Sequence, residues 1–518
     1  VTETGEHHES FAGRRMPGPS AAIFRHHEVF MSVIRRQSLG TLALAATGLL
    51  AACSDDPSSG SGIGPSTPAG AQLANRSVSP NLITSLAPGA QAYTLISSDD
   101  TLSASPNFIF GGSADGAGMV KNQDGTFTLL TNHEDNFAVS RLVLDKDLKP
   151  VRGDYIMTSN AGRWRLCSAT MATPEEHGYG PLFFTVGESG IESQTHAVNP
   201  FGTANSNFIV EAFGRWNAEN ALPLPRVAYP GKTLVLVGDD DSGVNGGQVV
   251  MYKADREGDL NTGRVHVLAR VDGNTREMDL RVGQPVAVEF KDIGSAIGRT
   301  GAQLEQAGVA VNMLQFGRVE DLDYRKGSAA SNREIYFNVT GQDNSGRNAD
   351  YSRSKYGRVY KLVLDATDPT KGTLEVILDG DDRSGPAREF QNPDNIYVGS
   401  NYLYTQEDPN GYGDETHDAR IYQYNLTTKA FATVMELDHR RQAADAAKYN
   451  VGGASRFGSW EFGAMIDVSE QIGVRDAFII ALQPHTWRGD RYRGVDGGTL
   501  RPNENQASSL IVVTGLPR

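Results

Sequence analysis

The chain has 518 residues, with 48 Lys and Arg against 62 Asp and Glu, for a formal net charge of −14. That balance argues against nucleic acid and against direct binding to anionic lipid, and suits a protein that gathers carboxylates around cations. Residues 1–30 have no organised pattern and read as a non-native extension upstream of a start at Met31, with Val1 a literally translated alternative start codon. His7, His8, His26 and His27 fall in this discarded part and are set aside as ligands.

Residues 31–52 carry Arg35-Arg36, then an apolar run from Leu42 to Ala52, the marks of a secretory signal. The run is too short to span a bilayer as a helix. Leu50-Ala51-Ala52-Cys53 fits a bacterial lipobox, so Cys53 is expected to be lipidated and to anchor an exported protein at a membrane. The expected location is the periplasmic face of an outer membrane or the cell surface. Arg35-Arg36-Gln37-Ser38-Leu39 also resembles a twin-arginine signal, which exports folded proteins. Residues 53–75, rich in Ser, Gly, Pro and Asp, read as a flexible tether. Beyond it Cys167 is a lone thiol, which taken by itself reads as a buried small hydrophobe.

Residues 76–518 lack long amphipathic helices and are rich in Gly, Asn, Asp and Thr, which predicts an all-β fold. Six times an apolar strand runs into a polar turn: Phe127–Asp135, Leu182–Glu188, Thr233–Asp240, Ile335–Asp343, Tyr402–Asp408 and Phe478–His485. Each is followed by a second strand of alternating residues: Arg141–Asp145, Asn207–Glu211, Gln248–Tyr252, Arg358–Leu362, Arg420–Tyr424 and Ser509–Val513. The recurrence predicts a six-bladed β-propeller, which a sandwich of coincidental strands does not explain. The long third interval predicts an insertion between the third and fourth blades, roughly Asp255 to Leu314, helical around Ala302–Ala307. Taking the repeated strands as innermost, Glu134, Glu188, Asp239, Asp240, Glu407 and His485 are expected at one mouth of a central channel. Gathered carboxylates repel unless cations lie between them; oxygen ligands suit calcium, and a nearby thiolate favours a transition metal such as iron.

Five stretches carry more specific chemistry: Asn132-His133-Glu134, Cys167 with Thr173-Pro174, Phe316-Gly-Arg318-Val-Glu320-Asp321, Pro393-Asp394-Asn395, and Trp460-Glu461-Phe-Gly463. In this order they resemble the PhoX family of alkaline phosphatases. The resemblance implies a six-bladed propeller with iron (Fe3+) and calcium at the channel mouth, hydrolysing phosphate monoesters. Carried over by motif, it implies Cys167 and Glu211 as iron ligands and Glu320 and Asp394 as ligands of the same cluster. Glu188 and Glu461 become calcium ligands, Arg318 the phosphate clamp, and His133 an orienting group for the adjacent carboxylates. The chain departs from the family patterns at Cys167-Ser-Ala-Thr170, Arg318-Val319, Gly187-Glu188-Ser189 and Gln483-Pro-His485. The expected partners are small phosphorylated substrates, and the expected state is a monomer. A calcium-dependent lactonase or esterase, or a non-catalytic calcium-stabilised propeller, would need neither Cys167 nor Arg318 at the channel mouth.

Overall fold

In the computed structural model the described residues are 70–452 and 456–518. The upstream extension, the signal, Cys53 and the tether as far as residue 69 lie outside them. Packed chain begins within the stretch read as tether: the Ala71 N–H donates to the Ile472 carbonyl, and Gln72 N–H donates to Asp147 Oδ1.

The domain is all-β with a propeller-like arrangement, built from antiparallel meanders. Four sheets have four or five strands, and a fifth has nine. Among the described residues the hydrogen bonding therefore makes five sheets, not six separate blades. The reason lies in the predicted insertion. Its nine-residue strand Val286–Gly294 pairs with Arg264–Arg270 on one side and with Lys371–Asp379 on the other, welding two meanders into one sheet. The same segment carries the expected helix, Gly301–Ala310, started by a capping box between Thr300 and Gln303.

Six strands lie side by side in a closed ring at the centre: Ala114–Lys121, Leu166–Ala172, Ala218–Pro223, Val319–Tyr324, Pro393–Val398 and Glu461–Asp467. The repeated apolar strands are not these, but their immediate hydrogen-bonded neighbours. The physical reason is burial. A second strand is covered on both faces and reads as a continuous apolar run, whereas an inner strand turns polar side chains into the channel. The expected second strand Asn207–Glu211 is also displaced. Thr195–Val198 pairs with Leu182–Gly187 instead, and only Phe208–Ile209 continues that sheet at its edge.

The ring is closed by the start of the domain. Gln91–Ser97 pairs with Ser509–Thr514 in the last sheet, and Ile83–Leu86 adds a fifth strand to the sheet before it. The inserted segment is fixed by one buried carboxylate, Glu277. Its Oε2 accepts from the N–H groups of Gly317 (2.8 Å) and Ser354 (3.1 Å), and its Oε1 from the Tyr360 hydroxyl (2.8 Å). Glu277→Ala strands these buried donors and is expected to lower the unfolding free energy by about 3 kcal/mol or more, at roughly 1–3 kcal/mol per unsatisfied group. A calorimetric melt should show this as a lower midpoint; an unchanged midpoint would contradict the stapling role.

Candidate metal centre and anion cleft

Each inner strand is irregular at one place, and that place carries the chemistry. Pairing with the second strand shifts register between Ala114 and Ala117, Leu166 and Ala169, Ala218 and Asn220, Val319 and Leu322, Pro393 and Ile396, and Phe462 and Met465. A bulge bends the strand and re-aims a side chain that regular pleating would commit to one face. The bulges hold Asp115, Cys167, Glu219, Glu320 and Asp394, while Glu461 stands just before the sixth. Neighbouring bulges nearly touch. A β-carbon at Gly116 would lie 2.5 Å from the Ala169 nitrogen, and one at Gly463 would lie 2.7 Å from the Ala114 carbonyl oxygen. Only glycine fits at these crossings.

The side chains form four overlapping triads: Asp115–Glu134–Cys167, Cys167–Glu188–Glu219, Glu219–Glu320–Asp394 and Asp394–Asp408–Glu461. Within each triad one ligand atom per residue lies within 4.8 Å of the other two. Sharing Cys167, Glu219 and Asp394 links them into one continuous run of eight carboxylates and a thiol. Burial, reinforced by neighbouring acids, holds Asp115, Glu188, Glu219, Glu320, Asp394 and Glu461 well above the usual carboxylate range. Burial, then Glu219, Glu134 and Glu188, does the same to the Cys167 thiol, which donates to Glu188 Oε2 at 3.2 Å. Asp394 Oδ1 is buried with no hydrogen-bond partner. A donor set of this kind, acceptor-rich and with an orphaned buried oxygen, fits bound cations. The oxygen-only triads suit calcium, and the thiol-containing ones suit a transition metal.

Two guanidiniums border the run. Arg318 sits in left-handed backbone (φ +74°), with Nε 2.8 Å from Asp240 Oδ1, Nη2 3.3 Å from Glu320 Oε1, and Nη1 donating to Asn410 Oδ1 at 2.6 Å. It does not pair with Asp321 or Asp323. Those carboxylates instead accept from the N–H groups of Ile396 (3.1 Å) and Val398 (2.7 Å) on the adjacent inner strand. Arg165 reaches Glu134 (3.2 Å), Asp135 (3.2 Å) and Glu188 (3.9 Å). A cleft of about 540 Å³ opens beside Arg318, bordered by Glu188, Asp240, Asn410 and Tyr412. A separate cavity of about 230 Å³ lies among the inner strands, lined in part by Ser168, Asn220 and Asn395.

Of the residues chosen from sequence, Cys167, Glu188, Glu320, Asp394 and Glu461 come together, and Arg318 stands beside them. Glu211 does not. It is exposed in the short 3-10 turn Glu211–Phe213, and the buried carboxylate in that part of the ring is Glu219. Glu134, Asp240 and His485 reach the mouth as expected from strand ends, with His485 Nε2 3.2 Å from Glu461 Oε1. Glu407 is drawn aside into a buried network with His417 and Tyr422, and Asp239 belongs to none of the triads. His133 orients no carboxylate: its ring nitrogens meet the Gly112 carbonyl and Ser140 Oγ, and burial lowers its pKa to about 4. Asp115, Glu219, Asp408 and Arg165 were missed. A single acid in an otherwise small-residue strand, Ala218-Glu219-Asn220, was the available signal for Glu219.

No family model matches the sequence, and no curated protein matches it either. Among solved structures, Pseudomonas fluorescens PhoX in complex with vanadate, a transition state analogue, superposes with a TM-score of 0.58. The match is at 12% identity over 84% of this chain and 96% of that one. The PQQ-bound aldose sugar dehydrogenase of Streptomyces coelicolor gives a TM-score of 0.34 at 11% identity, covering 82% and 99%. A putative gluconolactonase gives 0.36 at 9%, covering 84% and 97%. The likeness to PhoX shows a shared propeller-like fold.

The clustered acids have a consequence for stability. Burial raises Asp115, Glu134, Glu188, Glu219, Glu320, Asp394 and Glu461 above their unfolded values, so between the two the native state holds more protons, and stability must fall as pH rises. Protein stripped by chelator should therefore melt progressively lower as the pH is raised through and beyond the ordinary carboxylate range. Readdition of calcium should flatten that slope; a stripped protein with no such pH dependence would contradict the clustering.

Proposed function

We propose that this protein is a PhoX-like, metal-dependent phosphatase that hydrolyses phosphate monoesters at the mouth of the inner-strand ring. One observation carries the reading: a thiol, Cys167, embedded in a run of mostly buried carboxylates that is bordered at Glu320 by an arginine, Arg318, at the edge of an open cleft. Each alternative explains part of this. Calcium-stabilised binding modules and lactonases use acids, but neither has need of the thiol or of the guanidinium. In architectural terms we read the nine-stranded sheet as two blades joined through Val286–Gly294, which the closed ring of six inner strands supports.

On this reading Asp115, Glu134, Cys167, Glu188 and Glu219 would hold iron, and Glu219, Glu320, Asp394, Asp408 and Glu461 would hold calcium, which moves Glu188 to the thiol side and Glu320 and Asp394 to the oxygen-only side of the roles the resemblance implied. The bound cations supply the positive field and Lewis acidity that a dianionic ester requires in so acidic a setting. Arg318 contributes direction. Its guanidinium is planar and always charged, and it can engage two phosphoryl oxygens at once. Asp240, Glu320 and Asn410 hold it at the cleft edge, so little ordering remains when an anion enters. Arg165, 3.9 Å from Glu188, brings a second fixed cation to the border of the run. The export reading joins this one as a proposal: lipid on Cys53 retains the folded enzyme at a membrane.

Metal analysis of protein purified from its exporting host should find iron and calcium together; calcium alone would overturn the iron assignment. Hydrolysis of an aryl phosphate should fall by about 10²–10³-fold in Arg318→Ala, the scale for losing one transition-state donor, with no recovery in Arg318→Lys. Cys167→Ala should lose both iron and activity. Glu211→Gln, altered at an exposed turn, should keep full activity, and its failure would restore the original ligand assignment. Cys53→Ser should move the protein from the detergent phase to the aqueous phase with activity intact; loss of activity on release would contradict a purely tethering role.

A further inference from the structure

Opposite each two-residue bulge of an inner strand, the second strand contributes one residue. In three sheets that residue is a carboxamide. Asn132 faces the Asp115–Gly116 bulge, Asn338 the Glu320–Asp321 bulge, and Gln406 the Asp394–Asn395 bulge. None of these amides serves its own bulge. Asn132 Nδ2 donates to the Cys167 carbonyl, and also lies 3.4 Å from the Ser168 carbonyl and 2.9 Å from Thr185 Oγ1. Asn338 Nδ2 repeats the pattern one half-turn of the ring away, to the carbonyls of Asp394 (2.7 Å) and Asn395 (3.0 Å) and to Thr405 Oγ1 (3.0 Å). Gln406 Nε2 donates to the Gly463 carbonyl, two residues from Glu461.

Two asparagines far apart in sequence thus make the same three contacts with the following meander: both carbonyls of its bulge and the threonine beside it. The bulges they grip are those that present Cys167 and Asp394. A bulge leaves backbone groups unpaired by the ladder, and its conformation is open to relaxation unless something holds it. Two converging carbonyls require the NH₂ end of each amide to face them, which settles its orientation. In that orientation Oδ1 of both asparagines is buried without a hydrogen bond. An apolar side chain would avoid that unsatisfied oxygen but would strand both bulge carbonyls, so each amide accepts one orphaned atom in order to hold the bulge of the next meander.

We infer that Asn132 and Asn338 are positioning residues, which lock the bulges of the next meander so that Cys167 and Asp394 are held at ligand distance from their neighbours; this rests on the metal-centre reading above. The two act at different places. Asn132 governs the thiol-containing triads, and Asn338 governs the oxygen-only triads that meet at Asp394.

The test uses the whole protein, stripped by chelator and titrated with Co2+, whose thiolate-to-metal charge-transfer absorption reports ligation by Cys167. Wild type should show that band. Asn132→Leu should remain folded by circular dichroism yet bind the band-forming cobalt at least tenfold more weakly. Asn338→Leu should keep the band and lose affinity only for cobalt that binds without it. This split is what a merely structural role would not produce. Equal cobalt binding in both variants and wild type, or parallel losses that track the melting temperature, would overturn the assignment. If Asn132→Leu fails to fold, Thr185→Val removes one of the three partners and should give a smaller loss of the same kind; unchanged band and affinity there would overturn it as well. Absence of the band in wild type would bring down the metal reading of Cys167 itself, an outcome distinct from a wild-type band that the variants leave untouched.

Discussion

The structure is organised around a repulsion. Eight carboxylates and one thiol meet at one end of a ring of strands, mostly buried, with two guanidiniums at their border. A protein interior tolerates such a concentration only by keeping protons on the acids or by placing cations among them. Burial favours the protonated form of Asp115, Glu134, Glu188, Glu219, Glu320, Asp394 and Glu461, a device that grows less effective as pH rises. Cations remove that dependence. The residues flanking the run are therefore selected less for apolar packing than for holding charged side chains against their own repulsion.

That requirement explains the irregular features of a fold otherwise made of simple meanders. Regular pleating would send alternate side chains to opposite faces, so neighbouring acids on one strand could not crowd the channel. A bulge in each inner strand breaks the alternation at or next to the residue it contributes to the run. Glycines at Gly116 and Gly463 let adjacent inner strands approach closely at their bulges. Asp321 and Asp323, which would add to the repulsion if they joined the run, instead accept backbone N–H groups of Ile396 and Val398 and tie two inner strands together. Even the insertion serves the site indirectly: Glu277 anchors it to the N–H of Gly317, next to Arg318.

Much of this was legible in the chain. The recurrence of apolar strands announced an all-β repeat architecture, and the helix within the insertion was readable from its own residues. Cys167, Glu188, Glu320, Asp394 and Glu461, singled out from sequence, lie in one run of side chains. Two causes separate the expectation from the structure. Hydrophobic runs mark strands buried on both faces, so the second strand of each meander was taken for the innermost. Glu211 came from the motif resemblance, and the chain places it in an exposed turn while Glu219, on a strand with no apolar run, joins the acids. For His133 and Glu407, a strand end in the sequence does not say whether its side chain turns toward the channel or into the space between sheets.

The amino-acid sequence by itself determined the class of fold, the repeat, and most of the acidic residues that meet in the run, because hydrophobic periodicity and residue chemistry are local properties. Only the tertiary structure decided which strands form the ring, that two meanders fuse through Val286–Gly294, and that Glu219 rather than Glu211 belongs to the run. It also decided that Asn132 and Asn338 reach across to the next sheet. These are matters of register and of contacts between distant segments. They are settled when the ring closes through Gln91–Ser97 and Ser509–Thr514, and no single segment carries them before that closure.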